Sequence, residues 1–413
     1  MVRTERDSGT ERVATLVLKA DVAIIGAGAA GLSLAHRLTC APTGSRRLSV
    51  VLVEAPPGPL RPPPRTWCFW EAGRGRFDAA VSASWRRLRV HGPTGPPVED
   101  DISPLRYKMI RSDDFTRLIT RDLARHDRTR RLEATVDSVD GLTEGALINA
   151  HTATGEARSV QARWVFDSRP LGSLPAARTT LLQHFRGWFV RTDRPVFDPA
   201  GAELMDFRTP QPPTGLSFGY VLPTGPRQAL VEYTEFSPTV LTGDGYDAAL
   251  RHYTGTVLGL DDFEVTGTET GVIPMTDAPF ARRTGPRVFR IGAAGGATRP
   301  ATGYTFTGIQ RQTAAVAAAL HQGRRPVPPQ PHPARSRAMD AVLLHALDSG
   351  LVDGADFFSR LFTRVPMTRL LRFLDGETRL YEDLGIGLHT PVRPMLRAAA
   401  RVPGLPRRPF PGA

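Results

Sequence analysis

The chain has 413 residues, of which 41% are hydrophobic and 23% charged; this suffices for a substantial core, excludes wholesale disorder and suits two domains better than one. The formal net charge of +12 rests almost entirely on arginine, because Lys19 and Lys108 are the only lysines. The arginine bias is accounted for by a GC-rich coding sequence before any function. Read functionally, a basic shell suits anionic surfaces, and because the arginines are scattered, without zinc-finger spacing, an RNP-like aromatic motif or a basic helix, lipid headgroups fit better than nucleic acid.

Cys40 and Cys68 are the only cysteines, which excludes a disulfide scaffold and suits a reducing cytoplasm. The first twenty residues are polar and charged, with no leader-like apolar region. No stretch approaches the roughly 18 to 20 apolar residues of a membrane span. The expectation is a cytoplasmic protein that touches a membrane only laterally, as a peripheral protein.

Residues 20–26 read as a buried strand, followed by a small-residue turn, a helix over 31–38 and a second apolar strand over 48–53 that ends at Glu54. This is a βαβ unit, the opening of a doubly wound fold. A stiff proline-rich loop covers 56–64, and Ser112 is placed to cap a helix over 113–125. From about 181 to 275 alternating β-branched and aromatic runs predict an inserted antiparallel sheet. Residues 287–291 read as one more buried strand, followed by a Gly-rich loop, a helix over 310–322 and a linker over 325–333. The remainder is helical. Between Val352 and Leu374, Phe357, Phe358, Leu361, Phe362, Leu370 and Leu371 alternate with arginines, as in a helical cap over the core or a basic face resting on a membrane.

Gly26, Gly28 and Gly31 form G-x-G-x-x-G between strand and helix. The first glycine permits a tight turn, the second lets backbone approach a pyrophosphate, and the third lets helix and strand pack closely. Glu54, at the end of the second strand, is placed to accept hydrogen bonds from an adenosine ribose. A second Gly-rich turn, with Gly292, Gly295 and Gly296, again lies between strand and helix. It resembles the way flavoproteins of the glutathione-reductase type approach the flavin, so FAD is the expected dinucleotide. The fold class is therefore α/β. Its Rossmann-type FAD domain comprises 18–75, 106–175 and 284–325, the inserted substrate strands 76–105 and 176–283, and the helical C-terminal region 334–413.

Blocks in family order resemble bacterial lycopene β-cyclases: Arg65-Thr-Trp-Cys-Phe-Trp70, Val165-Phe-Asp-Ser-Arg169, Leu182-Gln-His-Phe-Arg-Gly-Trp188, Leu204-Met-Asp-Phe-Arg208, Val231-Glu-Tyr-Thr-Glu-Phe-Ser237, Gly271-Val-Ile-Pro-Met-Thr276 and Gly295-Gly-Ala-Thr-Arg-Pro-Ala-Thr-Gly-Tyr-Thr-Phe306. They span roughly residues 20–325. Thr270, where the family pattern leads one to expect an aromatic residue, departs from it and bears on the substrate tunnel; the long N-terminal arm departs too. The resemblance implies a reaction without net redox change: an acid protonates the ψ-end of lycopene, the cation closes a β-ring, and a proton leaves to give γ- or β-carotene. It also implies reduced FAD as the stabiliser of the cation and NAD(P)H as the flavin's reductant.

Protonating an alkene requires a carboxyl kept neutral by burial. The strand pattern alone leaves Glu232 facing solvent, whereas its block resembles the family's acidic motif and implies that it is the acid; Glu235 is the alternative. Arg65 and Gly303 complete the expected cofactor contacts. Trp67, Phe69, Trp188, Tyr233, Tyr304 and Phe306 are candidates for an aromatic substrate lining that tolerates a carbocation. Asp167 and Arg169 are expected to steady a domain junction, and His36 and His184 to be structural. No cluster has metal-ligand spacing. The rivals are a flavin-dependent monooxygenase of the same fold, a related cyclase acting on another polyene or terpenoid, and a flavin-binding protein without catalysis.

Overall fold

A computed structural model describes residues 16–42, 44–260 and 262–410, so most of the polar N-terminal arm lies outside the described residues. Strand β1 (Leu16–Ile25) is fully buried over its apolar end, and the chain turns at Gly26 into helix α1 (Ala29–Thr39) and returns as β2 (Val50–Glu54). Next come β3 (Thr66–Ala72), β4 (Val81–Trp85), β5 (Arg87–His91), β6 (Val98–Asp101) and β7 (Leu105–Arg111). Helix α2 (Ser112–Leu123) follows, then β8 (Thr129–Glu133), β9 (Thr135–Leu142), β10 (Gly145–His151) and β11 (Ala157–Asp167).

These segments build two sheets. The larger has the order β8-β2-β1-β11-β10-β9, parallel across its first four strands and antiparallel beyond. The predicted βαβ unit is its centre. A second sheet, β3-β7-β4, is small and antiparallel; the segment boundaries drawn from sequence divide it between domains. Ser112 is not an N-cap. Helix α2 begins on it, and its hydroxyl instead accepts a hydrogen bond from the Arg65 backbone N–H at 2.9 Å, tying the proline-rich loop to the helix.

The inserted region supplies β12 (Thr180–Arg191), β13 (Gly201–Asp206), β14 (Leu216–Gly225), β15 (Gln228–Ser237), helix α3 (Gly243–His252) and β16 (Glu264–Thr276). With β5 and β6 they form a seven-stranded sheet of order β16-β12-β15-β14-β13-β5-β6. It is not wholly antiparallel: β13 runs parallel to β5, because β5 belongs to an earlier part of the chain and joins the edge without a hairpin. One face of this sheet packs in the large core; the other, through Trp188, Val231 and Tyr233, packs under α3.

The chain then returns as β17 (Val288–Arg290), parallel beside β11, and as α4 (Phe306–His321), packed on α1. The C-terminal region comprises α5 (Ala334–Asp348), α6 (Gly354–Arg364), α7 (Met367–Leu374), α8 (Leu380–Gly387) and α9 (Val392–Arg401). Phe357, Phe358, Leu361, Phe362, Leu370 and Leu371 are all buried in the large core. The cap expectation therefore holds for this stretch, with α6 packed on β14 and β5 of the inserted sheet.

Candidate active site

The glycine turns and the inserted sheet enclose a cavity of about 2130 Å³. Gly26 adopts φ 94°, a left-handed conformation that side chains disfavour. A Cβ on Gly31 would fall onto the Gly26 carbonyl, so only glycine lets α1 start this close to β1. The cavity wall there consists of Gly26, Gly28 and the first residues of α1, whose first turn carries no acidic side chain. Amides at a helix start, with the positive end of the helix dipole, suit a phosphate. Glu54 is on the wall, held by Arg131 and by Arg61 at 3.4 Å. Arg65, Gly292 and Gly296 are on it as well.

Gly31, Gly295 and Gly303 are not. Gly31 has the packing role expected of a third glycine, Gly295 lies against the Arg290 carbonyl, and Gly303 against the Gln183 side chain. Asp167 and Arg169 do not bridge two domains. They pair with each other at 2.8 Å on the cavity wall, and Arg169 donates to the Val136 carbonyl within the same domain.

The carboxyls lie where the small sheet meets the inserted one. Gly187, in β12, pairs with Glu232 of β15 on one side and Glu269 of β16 on the other. A Cβ at Gly187 would meet Leu230 at 2.7 Å, the Glu269 side chain at 3.4 Å and the Glu232 side chain at 3.5 Å, so the missing side chain leaves the space that the two glutamates flank. Each glutamate is only 9% exposed. Neither has a cation within ion-pairing distance among the described residues. Glu232 accepts from Thr234 Oγ1 at 2.7 Å, and Glu269 from Thr66 Oγ1 at 2.6 Å.

Burial, reinforced by the charge of Glu269, pushes Glu232 from 4.5 up to about 8, against the opposing hydrogen bond from Thr234. Glu269 is also raised by burial, but Thr66 and the nearby Arg111 and Arg65 favour its charged form. Tyr220 is the neighbour of Glu232 on β14. The Tyr304 hydroxyl faces those of Tyr107 and Tyr220, beside Cys68. Glu232 does not itself line the large cavity; Thr66, which donates to Glu269, lines it together with Trp67, Phe185 and Gly271.

A family model described as "Lycopene cyclase protein" matches residues 21–400. The chain belongs to the lycopene cyclase family. Membership makes it an enzyme that acts on a carotenoid. No curated protein gives a significant match. Among solved structures, a flavoprotein/dehydrogenase from Cytophaga hutchinsonii superimposes with TM-score 0.61 at 14% identity over 92% of this chain and 99% of that one. A geranylgeranyl bacteriochlorophyll reductase-like protein from Thermoplasma acidophilum gives 0.58 at 12% over 92% and 98%. A p-nitrophenol 4-monooxygenase from Pseudomonas putida gives 0.57 at 14% over 95% and 100%. At these identities the likeness shows the fold.

Within this lycopene cyclase fold several sequence expectations change. Trp188 and Tyr233 do not face Glu232. Each is one residue from a position that does, so strand alternation sends both to the opposite face, against Tyr246, Leu250 and Tyr253. Glu235 likewise lies on that face, accepting from the Tyr233 hydroxyl at 3.0 Å, and is no alternative acid. Thr270 is exposed and does not line a tunnel. Phe69 and Phe306 stack on each other at 4.6 Å inside the nucleotide-domain core, leaving Trp67 on the cavity wall and Tyr304 near the carboxyls. His184 is structural, bonded to the Tyr246 and Ser237 hydroxyls at 2.6 and 2.8 Å.

Sequence reasoning missed Glu269, Tyr220, Thr66 and Gly187. Glu269 stands two residues before the Gly271-Val-Ile-Pro block and so shares its face, which is the one available signal; its apposition to Glu232 depends on strand register.

Proposed function

We propose that the protein closes a β-ring on the ψ-end of lycopene, giving γ- or β-carotene, with Glu232 as the proton donor. The observation that carries the proposal is a carboxyl buried among Leu230, Tyr220 and Gly187, without a counter-cation and raised to about 8, so that it stays protonated at neutral pH. Glu269 contributes by its charge. Thr66 donates to it, and a carboxylate held there disfavours a second negative charge on Glu232.

The steps balance as an isomerisation. The Glu232 O–H breaks as a C–H bond forms at the terminal alkene, and the neighbouring alkene closes the ring onto the resulting cation. Loss of a ring proton to the Glu232 carboxylate then restores the acid. Leu230, Phe189 and the partly buried Tyr220 and Tyr304 present apolar and π-rich surface, which keeps water from the cation.

The glycine turns fit FAD: the Gly26–Gly28 segment and the start of α1 for its pyrophosphate, Glu54 for its ribose, and Arg65, Gly292 and Gly296 nearer the ring. When bound, reduced anionic FAD supplies negative charge that favours the cation, with NAD(P)H as its reductant. Expression in bacteria that accumulate lycopene tests the function. The account requires a ring-closed product isomeric with lycopene; unchanged lycopene, or a product that has gained oxygen, refutes it.

A further inference from the structure

Helices α8 and α9 turn their leucines outward. Leu380, Leu384 and Leu388 follow one another at four-residue spacing along α8 and its end, and they are 62, 64 and 73% exposed. Val392 and Leu396 continue the stripe on α9, with Leu396 65% exposed, and Tyr381 flanks it. An exposed run of this kind is uncommon on a soluble protein and marks a contact surface.

The orientation of α8 is fixed by polar contacts on its inner side. Asp383 is buried, accepting from Arg335 Nε at 2.8 Å and from Thr378 Oγ1. Glu382 pairs with Arg372 at 2.9 Å and accepts from the Arg379 backbone N–H at 2.8 Å. Rotating the helix to bury its leucines would strip Asp383 of these partners, a costly exchange for a buried carboxylate. The leucines are therefore held outward with the acids facing in.

The charge on this face has one sign. Glu382 and Asp383 are the only acidic residues between Arg379 and Arg401, and both are engaged inward. Arg393, Arg397 and Arg401 on α9 are exposed and have no carboxylate partner among the described residues. Leucines beside unpaired arginines match the acyl–headgroup boundary of an anionic bilayer, apolar below and negative above. A second copy of the chain would oppose arginine to arginine across the same face. No described helix is long and apolar enough to cross a membrane, so the contact is lateral.

The C-terminal end of α9 reaches the cavity. Ala399, just beyond the stripe, lines it together with Val402, Pro403 and the α5 residues Ala338, Ala341 and Val342. An apolar molecule leaving the bilayer under α9 meets an apolar section of cavity wall.

We infer that the α8–α9 face docks the protein onto an anionic phospholipid surface and sets the apolar end of the cavity against it. This rests on the cyclase proposal only for the nature of the cargo. The test is flotation of the purified full chain with phosphatidylcholine vesicles, with and without phosphatidylglycerol. Wild type is expected to float with the phosphatidylglycerol vesicles. L384E/L388E/L396E is expected to fall at least tenfold in bound fraction with unchanged melting, since these side chains are exposed. R393E/R397E is expected to lose the preference for phosphatidylglycerol.

Failure of wild type to float, or wild-type binding by the leucine variant, overturns the inference. So does a wild-type dimer in sedimentation velocity that the leucine variant abolishes while vesicles remain unbound, because the face then belongs to a second copy. Lycopene turnover read in vesicles and in detergent separates the two proposals. Docking without turnover in either medium sinks the cyclase proposal alone, and turnover without docking sinks this inference alone.

Discussion

A buried acid kept protonated for catalysis carries a cost in stability that can be measured. Glu232 stands at 4.5 in the unfolded chain and at about 8 in the folded protein. Below the unfolded value the group is protonated in both states and costs nothing. Between the two values unfolding lets it ionise, so stability falls as pH rises and levels off above about 8. At about 1.4 kcal/mol per unit the full span is worth about 5 kcal/mol, of which about 3 kcal/mol falls between about pH 5 and about pH 8. Local relaxation around the carboxyl reduces this figure. Glu232→Gln keeps the shape and the hydrogen bond with Thr234 but has no proton to lose. Urea unfolding of both proteins at the two pH values is therefore expected to show the variant gaining on wild type by roughly 2 to 3 kcal/mol as the pH rises. Parallel pH dependence in the two proteins would refute the claim that Glu232 is held neutral by its surroundings.

Activity of the wild type is expected to decline as pH rises through about 8, because the acid must be protonated. Glu269→Gln removes the neighbouring charge, so the same decline should move to lower pH, on the order of one unit, in a pH–rate profile; an unmoved profile would deny Glu269 its electrostatic role. Gly187→Val places carbon where Leu230 and both glutamates now pack; it should cost about 1 to 3 kcal/mol in thermal unfolding and more than tenfold in turnover. Gly31→Val, which drives a side chain into the Gly26 carbonyl, should abolish the yellow flavin absorbance of the purified protein while circular dichroism still reports mixed α/β structure.

The nucleotide-binding half of the fold was legible because its signals are local. A strand, a glycine turn, a helix and a second strand within about 35 residues leave few alternatives. The inserted sheet was legible as a sheet but not in its faces. Strand β15 is buried from Ala229 to Ser237 on both sides, so its sequence carries no inside–outside alternation. Tyr233 and Glu235, an odd number of residues from Glu232 on the same strand, fall on the opposite face by strand alternation, whereas Trp188, on another strand, is placed only by cross-strand register. The same limit hid Glu269, which meets Glu232 across a glycine on a third strand. In the C-terminal region Phe357 and Leu384 look alike in sequence, each an apolar residue at helical spacing among charges. What distinguishes them is tertiary: α6 has a sheet beneath it, whereas α8 is anchored inward through Asp383.

The most direct measurement is the fate of the solvent proton. With purified enzyme, reduced flavin and lycopene in heavy water, mass spectrometry of the cyclised product should show deuterium in each ring that forms, and Glu232→Gln should give neither ring nor label. A ring formed without deuterium, or formed at the wild-type rate by the variant, would contradict proton-initiated closure by this side chain.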